Sequence, residues 1–261
     1  MTDEIDERAK LAETMARDAA RLAMSFFNDR ARLDIRSKGK RDLVTAADQA
    51  VERLIRERVT AAFPQDRVLG EEEGGEIADR LWVVDPIDGT ANFARGLPSF
   101  AVSIAFCREQ HPLIGVIAEP AAAAIYTAKK GGGAFRNGVA IRASTATELD
   151  QSFVEFGYAE RRTAEENLRL MRRMIDSGCD VRLIGSATLG LARVAEGLSE
   201  GYCELYLNSW DVMAGLVLIE EAGGRVCDFL ANDGLRCGNP TIVSAPGIAE
   251  ALAHVTGLAF S

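Results

Sequence analysis

The segment that most constrains the fold is Leu81–Phe93, LWVVDPIDGTANF, in which an apolar run ends abruptly in two acids. The residues before Asp85 are typical of a buried strand. Asp88 follows after Pro86, which predicts a tight turn that points both carboxylates into one space. Packed carboxylates repel each other and resist ionisation unless a cation joins them. The segment therefore predicts a strand end at which negative charge is gathered.

Other acids also stand at the ends of predicted elements. Glu71 and Glu72 follow the short strand RVLG, and Asp211 lies beside Trp210 at the start of an apolar helix. Taken singly, each has a plain explanation. The glutamates can be a solvated charge run, the aspartates of the first segment a simple turn, and Asp211 an acid placed against a helix dipole. Their combination favours a common site.

The chemistry of these acids favours a hard cation. Carboxylates, together with the Ile87 carbonyl between Asp85 and Asp88, form an all-oxygen ligand set with no histidine or cysteine nearby. Such a set prefers Mg²⁺ or Mn²⁺ to zinc. Gly89 and Thr90 precede a predicted short helix, whose first N–H groups can hold a phosphate. The pattern predicts metal-assisted transfer of a phosphoryl group to water.

Composition excludes several other classes of protein. The chain has 261 residues and a formal net charge of −9, so a general basic surface for nucleic acid is absent. The two histidines, His111 and His254, stand apart from the acids, which disfavours a serine hydrolase. Five scattered cysteines are typical of reduced thiols. Neither a membrane span nor a secretory signal is predicted, so we expect a cytoplasmic protein.

Hydrophobic periodicity predicts two differently built halves. Residues 1–145 begin with a long amphipathic helix over 4–30 and a polar loop over 37–48, followed by a helix capped by Thr45 and Asp48. Strands joined by turns follow and predict an antiparallel sheet. Residues 146–261 alternate strands and helices, which is typical of a layered α/β structure. We predict one compact catalytic unit, because the chain has no long linker between the halves.

Taken in order, several motifs resemble the inositol monophosphatase family of Mg²⁺-dependent, lithium-sensitive phosphatases. The resemblance extends at least from Lys38 to Val226, and it rests on the segments DLVTAAD, GEEEG, WVVDPIDGTANF, GSA and SWDVMAGLVLIEEAGG. It implies an α+β or α/β fold, the layered αβαβα sandwich of the sugar phosphatases, and a homodimer. It also implies two to three Mg²⁺ ions per subunit, with Mn²⁺ as a substitute.

The resemblance also assigns roles to particular residues. Glu71 would activate the attacking water together with Thr90, which Asp48 would support. Glu72 would serve a further, weaker metal. The metal ligands it implies are, for the first ion, Glu71, Asp85 and the Ile87 carbonyl, and for the second, Asp85, Asp88 and Asp211.

The implied substrate pocket divides into a phosphate part and an alcohol part. Gly89 and Thr90 would hold the phosphate, with Lys38 or Lys40 nearby. The alcohol would lie against Gly185, Ser186, Ala187 and Glu204. Three departures from the family pattern stand out: Ala91 replaces a threonine, the interval from Glu71 to Asp85 is short, and Asn208 occupies a variable position at the pocket rim.

The predicted reaction is hydrolysis of a small phosphate monoester, with inositol 1-phosphate as the default substrate. Glu204 suits a polyol but also the amine or imidazole of histidinol phosphate, so that substrate stays open. Fructose 1,6-bisphosphate and 3′-phosphoadenosine 5′-phosphate are further alternatives on the same scaffold. A different class is a regulatory protein that binds in a transcription or RNA complex. Since the chain is acidic, a protein partner is then expected rather than direct contact with nucleic acid.

Overall fold

The computed structural model describes residues 2–29, 33, 36–39 and 42–261. The helices are α1 (Thr2–Asn28), α2 (Ala46–Ala62), α3 (Thr90–Arg95), α4 (Ala164–Asp176), α5 (Ala187–Glu196), α6 (Ser209–Glu221), α7 (Gly234–Cys237) and α8 (Ala249–Thr256). The strands are β1 (Arg36–Gly39), β2 (Asp42–Val44), β3 (Arg67–Gly70), β4 (Arg80–Asp88), β5 (Ala101–Arg108), β6 (His111–Glu119), β7 (Ala124–Lys129), β8 (Gly133–Arg136), β9 (Val139–Ala140), β10 (Phe153–Phe156), β11 (Asp180–Arg182), β12 (Gly201–Leu207), β13 (Arg225–Val226) and β14 (Asn239–Ser244).

Two large sheets carry the fold. The first has seven strands in the chain order β3 to β9 and is antiparallel except for the parallel pair β3–β4. The second has five strands in the order β11-β10-β12-β14-β13, with β14 antiparallel to both of its neighbours. The antiparallel first half and the alternating second half are thus largely as predicted.

The helices form layers around these sheets. Helices α1 and α2 cover one face of the seven-stranded sheet, and α5 and α6 lie between the two sheets. Helices α4 and α8 cover the outer face of the five-stranded sheet. The predicted αβαβα sandwich is confirmed. The middle helices bury apolar side chains against both sheets in one continuous core, so the predicted halves share that core. Their boundary at residue 145 stays a prediction.

The local signals explain several element ends. Thr45 begins α2 as its N-cap, and Asp48 completes the capping box as predicted, since the Asp48 carboxylate accepts the Thr45 N–H at 2.9 Å. Asn137 and Gly138 both have positive φ, 50° and 79°, and form the hairpin tip between β8 and β9. No helix in the described part of the chain is long and apolar enough to cross a membrane.

Two sequence predictions about loops were wrong. The predicted polar loop at 37–48 contains the short antiparallel hairpin of β1 and β2. The turn predicted after Asp85 is instead a continuation of β4 through Asp88. The pairing with β5 steps from Asp85–Ser103 to Asp88–Ala101, so one extra residue bulges from β4. A proline fits there because a bulge leaves a ladder N–H unneeded.

Helix α6 approaches the seven-stranded sheet closely because Gly115 of β6 has no side chain. A Cβ added at Gly115 would lie 2.3 Å from the carbonyl oxygen of Ala214 in α6. Gly215, the next residue of α6, faces α5 in the same way, since an added Cβ would lie 2.6 Å from Cβ of Leu191. These contacts fix the depth at which α6 sits in the middle layer.

We expect Gly115→Ala to destabilise the protein by about 1–3 kcal/mol, because the methyl group must push α6 away from the sheet. Urea unfolding of the parent and the variant measures this difference. Gly115→Ser, which adds one more atom, should cost at least as much. Equal unfolding midpoints for all three proteins would contradict the close approach.

Candidate metal centre

Three predicted ligands meet where β4 ends and α6 begins. Asp85 and Asp88 lie on either side of the β4 bulge, and Asp211 lies in the first turn of α6. Each offers a carboxylate oxygen, and these three oxygens lie within 4.8 Å of one another. The bulge matters because it lets two acids of a single strand face the same helix end.

Burial raises the pKa of each of these acids, and repulsion by neighbouring acids adds to this effect at Asp85 and Asp211. Asp85 is 1% exposed, and its pKa is well above the usual range, first because of burial and then because of the charges of Glu71 and Asp88. Burial also raises the pKa of Asp88. The pKa of Asp211 is raised to about 7 by burial and by the charge of Asp88. Ionising all three acids together is therefore costly unless positive charge is supplied.

The hydrogen bonds around the trio leave one carboxylate oxygen without a partner among the described residues. Asp88 accepts hydrogen bonds from the Ser186 hydroxyl and, at 2.8 Å, from the Thr188 N–H. Asp211 accepts the Asn208 N–H at 2.8 Å. The Oδ1 atom of Asp85 is buried and has no hydrogen-bond partner among the described residues. A buried, unpartnered carboxylate oxygen beside two further acids fits a divalent cation with oxygen ligands.

Glu71 lies next to this trio but is not part of it. It follows β3, and its N–H donates to the Val84 carbonyl at 3.2 Å, which sets its backbone beside Asp85. Its charge is the second cause of the raised pKa of Asp85, after burial. The prediction that Glu71 and Asp85 share a metal stays a prediction.

Thr90 and Asp48 meet as the family resemblance implies. The Thr90 hydroxyl lies 3.2 Å from Oδ1 of Asp48 and 2.9 Å from the Ile87 carbonyl oxygen. Asp48 is fully buried, and its pKa is raised by burial and lowered in part by hydrogen bonds from Thr45. The single Thr90 proton can serve only one of its two acceptors fully.

The predicted phosphate-binding turn is held from outside by Asn92, a residue to which the sequence analysis gave no role. Gly89 has φ of 88°, and a Cβ there would lie 2.9 Å from the Ser99 carbonyl oxygen and 3.1 Å from that of Gly185. The Asn92 amide nitrogen lies 2.8 Å from the Ser99 carbonyl oxygen and 2.9 Å from that of Ile184. It thereby ties the start of α3 to the loop before α5.

That loop and the first residue of α5 carry three of the predicted pocket residues. Gly185, Ser186 and Ala187 line a cavity of about 350 Å³, which Asp88 and Asp211 also line. Thr188, also without a predicted role, donates its hydroxyl to the Asp211 carbonyl at 3.1 Å. The N-terminus of α5 thus contacts both acidic elements, which sequence spacing alone could not reveal.

Glu204 lies in the same cavity, as predicted. The Tyr202 hydroxyl donates to its carboxylate. Burial raises the pKa of Glu204 to about 8, and the Tyr202 hydrogen bond lowers it in part. A Cβ at Gly157 would lie 1.7 Å from Oε2 of Glu204, so the glutamate needs a glycine opposite it. Gly157 was missed because its role depends on the pairing of β10 with β12, and Tyr202 was missed although it lies two residues from Glu204 on the same strand.

The roles predicted for three other positions stay predictions. Asn208, predicted at the pocket rim, is the N-cap residue of α6, and its amide oxygen lies 3.2 Å from the Tyr206 hydroxyl. Lys38 lies in β1, but its side chain is not among those described, and Lys40 lies outside the described residues. The N–H of Glu72 donates to the Glu52 carboxylate at 2.8 Å. The roles predicted for Lys38 and Glu72 stay predictions.

The chain is similar to known proteins over nearly its whole length. The sequence pattern of the inositol monophosphatase family matches residues 4–257. Nus factor SuhB of Escherichia coli K12 is 35% identical over 246 residues, which cover 90% of this chain and 92% of the relative. The extragenic suppressor protein suhB from Bartonella henselae superposes with a TM-score of 0.89 at 31% identity, over 95% of this chain and 97% of that one. The Thermotoga maritima IMPase gives 0.85 at 32% identity, over 98% and 97%.

The raised pKa of Asp211 predicts how stability depends on pH when metal is chelated. The folded protein holds the Asp211 proton up to about pH 7, whereas an ordinary aspartate in the unfolded chain releases it near 3.8. The stability that this proton supplies is therefore lost as pH rises through 7. Between pH 6 and pH 8 we expect a loss of about 1 kcal/mol, or roughly 2–4 °C in Tm.

Thermal unfolding in chelator at the two pH values measures this effect. Asp211→Asn should lose that part of the pH dependence, because an amide does not titrate. Asp176→Asn, on the outer helix α4, is the control and should behave as the parent does. Saturating Mg²⁺ should raise Tm at pH 8 more than at pH 6. An identical pH dependence in parent and Asp211→Asn would contradict the assignment.

Proposed function

Because this chain belongs to the inositol monophosphatase family, we propose that it hydrolyses inositol 1-phosphate at a Mg²⁺ centre built on Asp85, Asp88 and Asp211. The chain is a metal-dependent phosphomonoesterase. The observation that carries the proposed centre is the carboxylate trio, whose oxygens lie within 4.8 Å of one another and of which Asp88 and Asp211 line the cavity. The choice of alcohol rests on Glu204.

The metal would be held by residues already close together. Asp85 would be shared between two ions, with Glu71 and the Ile87 carbonyl on one side and Asp88 and Asp211 on the other. When bound, Mg²⁺ neutralises the phosphate oxygens, lowers the pKa of the attacking water and stabilises the leaving alkoxide. A third, weaker ion near Glu72 is part of the proposal, and Mn²⁺ would substitute for Mg²⁺.

Thr90 and Asp48 would orient the attacking water. If the Ile87 carbonyl serves the cation, the Thr90 proton is left for the Asp48 carboxylate at 3.2 Å. The Thr90 oxygen can then accept a hydrogen bond from the water and fix its direction toward phosphorus. Glu71 would accept the proton that the water gives up. This arrangement needs no covalent intermediate, which fits a site without a nucleophilic cysteine or histidine.

The start of α3 would receive the phosphate. Gly89 precedes the helix, and the N–H groups at its very start, before that of Asn92, come ahead of the first helical hydrogen bond, so they can donate to phosphate oxygens. Lys38 would add positive charge. Asn92 would keep this turn at a fixed distance from the alcohol pocket, because its amide contacts the Ile184 carbonyl at 2.9 Å.

Glu204 would select the alcohol. With its pKa near 8, the side chain can be a carboxyl or a carboxylate around neutral pH. It can therefore donate a hydrogen bond to one polyol hydroxyl or accept from another. The Tyr202 hydroxyl fixes its orientation. Gly185, Ser186 and Ala187 would line the opposite wall. An acid that can both donate and accept hydrogen bonds suits a polyol, so we propose inositol 1-phosphate ahead of histidinol phosphate, fructose 1,6-bisphosphate and 3′-phosphoadenosine 5′-phosphate, which remain the alternatives.

The proposal includes a cytoplasmic homodimer that is inhibited by lithium. A second candidate function is that of a regulatory binding protein in a transcription or RNA complex. It is favoured by the similarity to Nus factor SuhB of Escherichia coli. The net charge of −9 favours a protein partner over direct contact with nucleic acid.

Asp85→Asn tests the metal centre. We expect kcat to fall by more than about 100-fold at saturating Mg²⁺, since even indirect partners of metal ligands are typically worth 10–100-fold. The metal-free Tm should stay equal or rise, because the amide cannot ionise and so cannot repel the neighbouring acids. Phosphate release and thermal unfolding measure the two effects. Near-normal turnover in the variant would contradict the assignment, whereas a regulatory binding role would survive the substitution.

A panel of four phosphate esters tests the substrate. We expect purified protein with Mg²⁺ to release phosphate fastest from inositol 1-phosphate and to lose this activity in chelator. Glu204→Gln should raise KM for inositol 1-phosphate by about tenfold, the usual worth of one hydrogen bond to a charged group. It should leave the weaker activity on the other esters nearly unchanged. A clear preference for histidinol phosphate would instead assign Glu204 to a cationic alcohol.

A further inference from the structure

Helix α2 brings a second buried acid toward the site. Asp48 and Glu52 are one helical turn apart and therefore lie on the same face of α2. Both are fully buried. Asp48 contacts Thr90, but Glu52 has no part in the chemistry proposed above. A fully buried carboxylate requires partners, so its contacts indicate what it does.

The Glu52 carboxylate holds the loop that follows β3. Its Oε2 accepts the N–H of Glu72 at 2.8 Å, and its Oε1 accepts the N–H of Glu73 at 3.0 Å. Two consecutive backbone donors on the two oxygens of one carboxylate fix the direction of that backbone. Hydrogen bonds to a charged acceptor are also roughly twice as strong as neutral ones.

Arg56 completes this anchor. Its Nε donates to Oε1 of Glu52 at 2.8 Å, and its other nitrogens donate to the carbonyls of Val68 and Gly74. Val68 lies in β3 and Gly74 at the far end of the loop, so one guanidinium ties both sides of the loop to the helix. A side chain at Gly70 would meet the Glu52 carboxylate at 2.4 Å. The backbone therefore lies directly against the acid.

The anchored loop carries Glu71. Gly70 and Gly74 exchange backbone hydrogen bonds of 3.0 and 3.1 Å, which closes the loop into a tight turn. Glu71 lies between Gly70 and the two residues bound by Glu52, and its own N–H is fixed to the Val84 carbonyl, one residue before Asp85. Its backbone is therefore restrained on both sides.

We propose that Glu52 is a positioning residue for the metal centre, which holds the N–H groups of Glu72 and Glu73 and so aims Glu71 at the cation beside Asp85. Arg56 is its counter-ion. The inference rests on the proposed function, because it requires Glu71 to serve the Mg²⁺ centre. It assigns to α2 two tasks one turn apart: Asp48 orients Thr90, and Glu52 orients Glu71.

Glu52→Gln is the test. The amide retains the size of the side chain, but its nitrogen cannot accept a hydrogen bond, so at least one of the two backbone N–H groups loses its partner and Arg56 loses its counter-charge. We expect the Mg²⁺ concentration that gives half-maximal activity to rise about tenfold, the lower end for partners of metal ligands. The Mg²⁺ titration of Tm should move by the same factor. KM for the ester at saturating Mg²⁺ should change little.

Asp66→Asn is the matched control. Asp66 is also a buried acid paired with an arginine, since it receives the Arg8 guanidinium at 2.8 and 2.9 Å, but its contacts are to Arg8 and Trp82. This variant should lower the metal-free Tm and leave the Mg²⁺ midpoint where the parent has it. The comparison separates general loss of stability from loss of metal-site geometry.

The outcomes are distinct. A raised Mg²⁺ midpoint in Glu52→Gln alone supports positioning, and an unchanged midpoint in a folded Glu52→Gln overturns it. If Glu52→Gln does not fold, Arg56→Lys takes its place. Lysine keeps the positive charge but cannot make the paired hydrogen bonds of the guanidinium to the carbonyls of Val68 and Gly74. The midpoint of this variant should rise by a smaller factor, and an unchanged one overturns the inference. A parent protein with neither hydrolysis nor a Mg²⁺-dependent Tm would instead overturn the proposed function.

Discussion

Electrostatic repulsion among three buried carboxylates is the constraint on which the rest of the structure depends. Asp85, Asp88 and Asp211 approach within 4.8 Å although burial raises the pKa of each. Nothing in the acids themselves would bring them together, so the surrounding elements must impose the arrangement. β4 lies inside the seven-stranded sheet between β3 and β5, and α6 is packed between the two sheets. Large apolar burial on both elements outweighs the local repulsion.

The middle layer fixes this arrangement through close backbone contacts. Gly115 admits the Ala214 carbonyl of α6, and Gly215 admits the Leu191 side chain of α5. With α6 held at this depth, its first turn places Asp211 at the end of β4. The start of α5 is held in turn, because Thr188 bonds to both Asp88 and the Asp211 backbone. The two glycines that allow close packing in the middle layer therefore set the distances between the charged groups.

Much of this could be predicted from the sequence, for a physical reason. The strand, cap and turn signals are local, so Thr45, Asp48 and the hairpin at Asn137 were predicted correctly. The acids of the trio stood out because acids at the ends of apolar segments are costly without a purpose. The bulge at Pro86 was not predicted, since proline suits both a turn and an interrupted strand edge. Asn92 and Glu52 escaped notice because their partners are distant in the chain.

The chain neutralises buried acids elsewhere with its own arginines, and the contrast carries an argument about the trio. Asp66 accepts hydrogen bonds from two guanidinium nitrogens of Arg8. This guanidinium lies 4.0 Å from the centre of the Phe63 ring. Glu52 likewise has Arg56. Burying an acid costs several kcal/mol unless charge and hydrogen bonds compensate it, and at Asp66 and Glu52 the fold supplies both.

At Asp85 an oxygen stays unpartnered among the described residues, and the neighbouring charges that raise its pKa are those of other acids. Helix α2 thus carries a compensated acid at Glu52. The loop that Glu52 anchors carries Glu71, which lies beside the uncompensated Asp85. In contrast to Asp66 and Glu52, Asp85 has no arginine or lysine paired with it among the described residues. This contrast supports the proposal that a cation binds at the trio.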